Sequence, residues 1–142
     1  MKTVTIKYLA SILILLTIST CQKHEWDNPF DPECPKGLWT PANFEAKQID
    51  NRSIKLSWSI SNNNISGFKI DRIVGNPDDV TWEIVDWENV ATLSKNNIEW
   101  VDLEIIIGLE HQYKIYAYAG ANQSNSVTTS IIPEYMITFD TK

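Results

Sequence analysis

Only two cysteines, Cys21 and Cys34, and two histidines, His24 and His111, occur among the 142 residues. Two cysteines are too few for a scaffold built on disulfides. Five glycines and six prolines exclude a collagenous or low-complexity chain. The sequence has no zinc-ligand spacing, no Ser-His-Asp order and no glycine-rich phosphate loop. The carboxylates are scattered over turns, so no general acid, base or nucleophile is positioned by pattern. An enzyme is therefore not expected, and no cofactor or metal is called for. Basic runs are missing as well. From Cys21 onward the chain carries 10 basic and 18 acidic side chains, a balance of −8. An acidic surface without a basic stripe repels nucleic acid, so no nucleic-acid partner is expected. The apolar run Tyr8–Ile18 falls short of the roughly 20 residues that a membrane-crossing helix needs.

What is present begins with an address. Lys2 and Lys7, the apolar run, and the small residues Ser19 and Thr20 before Cys21 have the layout of a signal peptide over residues 1–20. Ile18-Ser19-Thr20-Cys21 resembles the lipobox of bacterial lipoproteins, with Thr20 where most carry Gly, Ala or Ser. The resemblance implies cleavage before Cys21 and acylation of that residue, anchoring the chain through several acyl chains such as palmitate. The competing reading is a Cys21–Cys34 disulfide after cleavage further upstream. Residues 21–40 follow as a tether, with Pro29, Pro32 and Pro35 recurring every three residues. Proline fixes φ and pushes its predecessor toward extended geometry, so a semi-rigid extended spacer is expected. Gln22-Lys23-His24-Glu25 is loosely similar to the surface-export signal of some Gram-negative lipoproteins. Asp27, Asn28, Asp31 and Glu33 offer oxygens to calcium, but the run lacks the glycine turn and ligand spacing of a calcium loop. Acidic decoration of a spacer is the simpler reading. Cys34 remains as a leftover thiol.

From Pro41 the pattern changes to short alternating runs between Asn, Ser, Gly and Asp clusters, with no helical periodicity. Ile54, Leu56 and Trp58 alternate with polar residues, as do Phe68 and Ile70. Tyr113, Ile115, Ala117 and Ala119 alternate with Lys114, Tyr116 and Tyr118. About seven short strands over this length predict an all-β, Ig-like sandwich. Six segments in order then resemble the fibronectin type III family. They are Pro41–Ala46, Ser53–Trp58, Gly67–Arg72, Trp87–Leu93, Trp100-Val101-Asp102 and Tyr113 at the place of the tyrosine corner. The resemblance implies a fibronectin type III-like domain over residues 41–133. Departures are a lengthened connection over 75–86 that holds Trp82, and a longer stretch from Asp102 to Tyr113 with its glycine displaced to Gly108. Residues 134–142 are expected to extend the last strand or to add one over Tyr135–Phe139. No Arg-Gly-Asp tripeptide is present.

Trp58 and Tyr113 are expected in the core and Trp100 at a sheet edge. Trp26, Trp39, Trp82 and Trp87 are less committed by pattern. Tyr116 and Tyr118 fall on the face opposite the core, about 7 Å apart along one strand. That spacing suits two rings stacking on adjacent sugar units. The plainer reading packs them against Trp82 and lysine stems, since cross-strand aromatic pairs stabilise sheets without a ligand. The function expected is a non-catalytic protein-interaction, adhesion or scaffold module. It would be held to the membrane through the lipid on Cys21, in the cell envelope and most readily on a Gram-negative outer membrane. The alternative is a surface glycan-binding lipoprotein of a polysaccharide-capture system, with Tyr116, Tyr118 and Trp82 as its ligand-binding residues.

Overall fold

A computed structural model of the chain describes residues 27–76 and 86–137. The signal segment 1–20, Cys21, Trp82 and the residues after Ile137 lie outside the described residues, and so do the expectations that fall on them. The described chain forms a 3-10 turn, Lys36–Trp39, and eight strands. These are β1 (Ala42–Asp50), β2 (Ser53–Ser59), β3 (Gly67–Gly75), β4 (Glu88–Ser94), β5 (Glu99–Asp102), β6 (Glu110–Ala119), β7 (Asn122–Gln123) and β8 (Val127–Ile131). One antiparallel sheet has the order β1-β2-β5. The other runs β4-β3-β6, with β7 and β8 both paired to β6. β7 and β8 are two halves of one edge. Ser124 separates them: its hydroxyl accepts the Ala117 N–H at 3.0 Å and donates to the Asn125 carbonyl at 2.7 Å. The architecture is the all-β sandwich that the sequence predicts.

The alternation in β2 and β6 results from one face meeting the opposite sheet and the other meeting water. Ile54, Leu56 and Trp58 from β2 face Phe68 and Ile70 from β3 and Tyr113, Ile115, Ala117 and Ala119 from β6. Trp58 lies edge-on to Phe68 at 5.4 Å and to Phe44 at 6.4 Å, an arrangement that the ring quadrupoles favour. β4 carries an extra residue where its pairing with β3 passes from Ala91 to Asn89. The Asn89 amide fills the break, donating to the Ile70 carbonyl at 3.2 Å and to Asp71 Oδ1 at 2.9 Å. Glycine is required at residue 67, because a Cβ there would collide with the Leu93 carbonyl oxygen of β4. Trp100 stands on the edge strand β5 and is half-buried.

The stretch expected to be an extended tether is folded wherever it is described. Asp31 N–H reaches the Asn28 carbonyl at 2.9 Å, and Cys34 N–H reaches the Asp31 carbonyl at 3.0 Å. Leu38 N–H reaches the Pro35 carbonyl at 3.0 Å. Asn28-Pro29 and Asp31-Pro32 each open a reverse turn, with the Asx side chain first and proline second. Their side chains also accept the Phe30 and Glu33 N–H groups. A period of three prolines thus gives consecutive turns rather than a rod. The turned segment sets Pro29, Cys34 and Trp39 into the end of the sandwich, where Trp39 is 1% exposed. Asn62 donates to the Asp27 carbonyl at 2.6 Å and Asn122 to the Pro29 carbonyl at 3.0 Å. The folded unit therefore reaches back to residue 27, ahead of the expected boundary at 41.

At the other end of the sandwich, residues 134–137 are described without a ladder to any strand. Gln48 and Asn51 hold them through side-chain amides instead.

Candidate functional site

Two groups of polar and aromatic side chains stand out, one between the sheets and one on the outer face of the larger sheet. The first joins the sheets at the end away from residues 27–40. Asp102, at the end of β5, accepts from Arg72 Nη1 at 3.0 and 2.8 Å, from the Glu104 N–H at 3.0 Å and from the Tyr113 phenol at 2.8 Å. Burial, and then the adjacent Asp102 charge, push the phenol of Tyr113 well above its ordinary pKa. The tyrosine-corner position is thus filled, but its hydroxyl meets a carboxylate side chain rather than main chain. His111 lies nearby, fully buried, with Nδ1 3.0 Å from the Leu109 carbonyl and Nε2 accepting from the Ile106 N–H at 3.1 Å. The carbonyl requires the proton on Nδ1, which leaves Nε2 as the acceptor. Both ring nitrogens are therefore engaged, and burial holds the imidazole below its ordinary pKa. Arg72 also faces the exposed Glu88 and Glu104 carboxylates, each at 3.6 Å, so the cluster joins the two sheets and opens to solvent on the Arg72 side.

The second group is built by strand parity and register. On β6, Lys114, Tyr116 and Tyr118 point away from the core, and all three are half-buried. The pairing with β3 sets Asp71 opposite Lys114, Lys69 opposite Tyr116 and Gly67 opposite Tyr118. Lys114 Nζ lies 3.3 Å from Asp71 Oδ2 and 4.3 Å above the ring of Trp87. Asn89 meets the other oxygen of Asp71. Lys69 Nζ stands 5.7 Å from the centre of the Tyr118 ring. Burial and then the Asp71 charge raise the pKa of the Tyr116 phenol. The face is therefore an aromatic strip overlaid by two ammonium groups, a mixed surface suited to cation–π and hydrogen-bonded contacts.

The structure brings Tyr116 and Tyr118 together on one face. It adds Lys69, Lys114, Asp71 and Trp87, which local sequence pattern does not assign to the site. The signal for Asp71 and Lys114 was available, since both are ionisable residues on the outward parity of neighbouring strands. Their pairing needed the register, which no local pattern shows. Among the described residues, no group of three or more His, Cys, Asp or Glu side chains is placed to hold a metal ion. In the segment weighed for calcium, Asn28 Oδ1 accepts from Phe30 and Asn64, and Asp31 Oδ1 accepts from Glu33.

No known protein-family profile matches the chain, and no curated protein sequence matches it. Solved structures do. The fn3 domain of human collagen alpha-1(XX) superposes with a TM-score of 0.56 at 11% identity, over 72% of this chain and 91% of that one. A computationally redesigned β-sandwich protein gives 0.55 at 17% identity, over 74% of this chain and 99% of the other. A β-1,2-glucanase from Parabacteroides distasonis gives 0.55 at 22% identity, over 70% of this chain but 13% of the enzyme. At such identities the likeness establishes the fold, a fibronectin type III-like β-sandwich, and leaves the ligand to the chemistry of the surface.

Proposed function

We propose that this chain is a lipid-anchored cell-envelope lipoprotein whose fibronectin type III-like domain is a non-catalytic protein-interaction or scaffold module. The reading rests on the fibronectin type III-like fold and on a larger sheet that presents a mixed aromatic and charged face outside. The turned segment 27–40 bears on how an anchored domain would stand. With residues 27–40 built into the domain, Gln22–Trp26 alone would separate Cys21 from the fold. Five residues span at most about 18 Å. A lipid on Cys21 would therefore hold the sandwich close to the bilayer, with the loop at 60–66 and the turn at 120–125 toward the lipid. The outer face of the larger sheet would stand to the side, and the end carrying 103–109 and 132–137 would point away. The test is a Cys21→Ala chain compared with wild type for incorporation of an alkynyl palmitate and for membrane retention. Loss of both label and retention is the expected result; a retained, unlabelled mutant would remove the anchor.

A second reading, the glycan-binding surface lipoprotein, is favoured by one observation: Tyr116 and Tyr118 share the outer face and keep part of their surface in solvent. Lys69 over the Tyr118 ring weighs against it, because a stacked sugar would have to displace the ammonium. Affinity electrophoresis through gels containing a panel of polysaccharides separates the two readings. Retardation lost in Tyr116→Ala/Tyr118→Ala would put the glycan first, and unretarded migration in every gel would leave protein binding.

A further inference from the structure

We propose that residues 134–137 form an open strand edge through which two copies of this chain pair, antiparallel about Met136. The Gln48 amide donates to the Glu134 carbonyl at 2.7 Å and accepts the Glu134 N–H at 2.9 Å. The Asn51 amide does the same for Met136, at 3.1 and 2.6 Å. Two residues, two apart, have both main-chain groups on one side, which is the geometry of an extended strand. Tyr135, held between them, must then direct its N–H and C=O to the opposite side, and the Ile137 N–H, opposed to the Met136 carbonyl across their shared peptide, points the same way. No hydrogen bond among the described residues reaches the main chain of either. Their side chains are 78% and 75% exposed.

Protein edges are ordinarily blunted by charge, proline or a bulge. Glu134 is the one charge in the segment and its main-chain groups face Gln48; Tyr135, Met136 and Ile137 carry no charge and no proline, in a chain with a formal charge of −6. The segment is also self-complementary. A two-fold axis at Met136 sets Tyr135 opposite Ile137 of the second copy, and Ile137 opposite its Tyr135. The Ile137 N–H of each copy then reaches the Tyr135 carbonyl of the other, and an extended Ile137 returns its own carbonyl to the Tyr135 N–H, so two pairs close at once. Each pair joins an aromatic to a β-branched side chain, a favourable cross-strand combination. A register centred on Tyr135 would instead oppose Ile137 to Pro133, which has no N–H to give. The seam buries less surface than a standard stable interface, so the pairing is concentration-dependent and is strengthened wherever copies are confined together.

The experiment is oxidative cross-linking of Met136→Cys in the Cys21→Ala chain, which separates the result from the question of the anchor. The two-fold makes residue 136 a non-hydrogen-bonded pair with Cα atoms about 4.5 Å apart. That lies inside the range of about 4.4–6.8 Å that a disulfide spans. Cys34 is buried and remains in both chains, so the Cys21→Ala chain without Met136→Cys is the control. A disulfide-linked dimer that rises with concentration, is absent from the control and is lost on adding Ile137→Pro is the expected result. Far-ultraviolet circular dichroism and melting of the Ile137→Pro chain verify that it still folds. A Met136→Cys chain that stays monomeric at every concentration overturns the proposal, and so does a cross-link that survives Ile137→Pro. Cross-linking in envelope extracts to another protein in preference to itself would equally overturn it, assigning the edge to a strand of that protein.

Discussion

The phenol of Tyr113 on β6 donates a 2.8 Å hydrogen bond to Asp102 on β5, joining the two sheets across 11 residues of chain. Asp102 also holds the half-buried Arg72 guanidinium from β3. A carboxylate so placed fixes how the sheets sit on each other, and the two ways of removing it differ in cost. Tyr113→Phe deletes one donor and leaves the ion pair, for an expected loss of about 1–3 kcal/mol. Asp102→Ala removes the two-oxygen partner of Arg72 and leaves it the Glu104 carbonyl and the more distant Glu88 and Glu104 carboxylates, for an expected loss of about 3 kcal/mol, the low end for breaking such a pair. Urea unfolding of both single variants and the double checks this. The double variant should lose less than the sum of the singles, because the two share one network. Additive losses would show that the hydroxyl and the carboxylate act separately.

Stability should fall in mild acid because of His111. Burial is the main cause of its lowered pKa, and the Arg72 charge adds to it; the Leu109 carbonyl and the Asp102 charge work the other way. The unfolded chain binds a proton near the ordinary value of 6.5, and the folded chain resists it. More protons are then bound in the unfolded state, so stability rises with pH across this window. The contribution is complete above 6.5 and is lost as pH drops from there toward the lower folded value. Protonation would also turn Nε2 into a donor facing the Ile106 N–H donor, loosening the loop over 103–109. Thermal melts between pH 7.5 and about 5.5 should slope downward in the wild type and flatten in His111→Gln. An equal slope in both would assign the acid sensitivity to other groups.

The parts of the fold legible in the sequence are those where one local rule decides. Ile54-Leu56-Trp58 and Tyr113–Ala119 alternate because each strand has one dry and one wet face, so parity alone separated core from surface. Parity also placed Tyr116 and Tyr118 together outside. It could not supply Lys69 above Tyr118 or Lys114 above Trp87, which depend on the register between β3 and β6 and on the extra residue in β4. The segment 27–40 departs from an extended spacer for a different reason. Asn-Pro and Asp-Pro serve an extended spacer and a reverse turn equally well, and burial of Pro29 and Trp39 in the distant end of the sandwich decides between them. The grip of Gln48 and Asn51 on 134–136 left no local trace, since both are ordinary polar residues near a turn.

Burial of Trp39 makes a direct prediction about where the folding unit begins. Trp39→Ala removes a large side chain from a closed site, for an expected cost of about 3–5 kcal/mol. Trp58→Ala, at the centre of the core, should cost a similar amount. A chain starting at Pro41 loses Trp39, Cys34 and Pro29 together and should show no cooperative unfolding, whereas a chain starting at Asp27 should melt like the full protein. Equal melting of the two truncations would restore the spacer and return the boundary to residue 41.

Gln48 and Asn51 test whether a segment can be ordered by side chains in place of a ladder. Each amide satisfies both main-chain groups of one residue, and nothing in the sandwich core depends on them. Gln48→Ala/Asn51→Ala should therefore leave the melting temperature within the small range of surface substitutions. It should nevertheless free residues 134–137, lowering hydrogen-exchange protection at Glu134 and Met136 and exposing Tyr135 to faster chymotryptic cleavage. If the pair of substitutions lowers global stability by several kcal/mol, the segment is an integral strand of the fold. If protection at Glu134 and Met136 is unchanged, contacts other than the two amides hold it. Only a local loss without a global one fits an edge kept in place by two side chains.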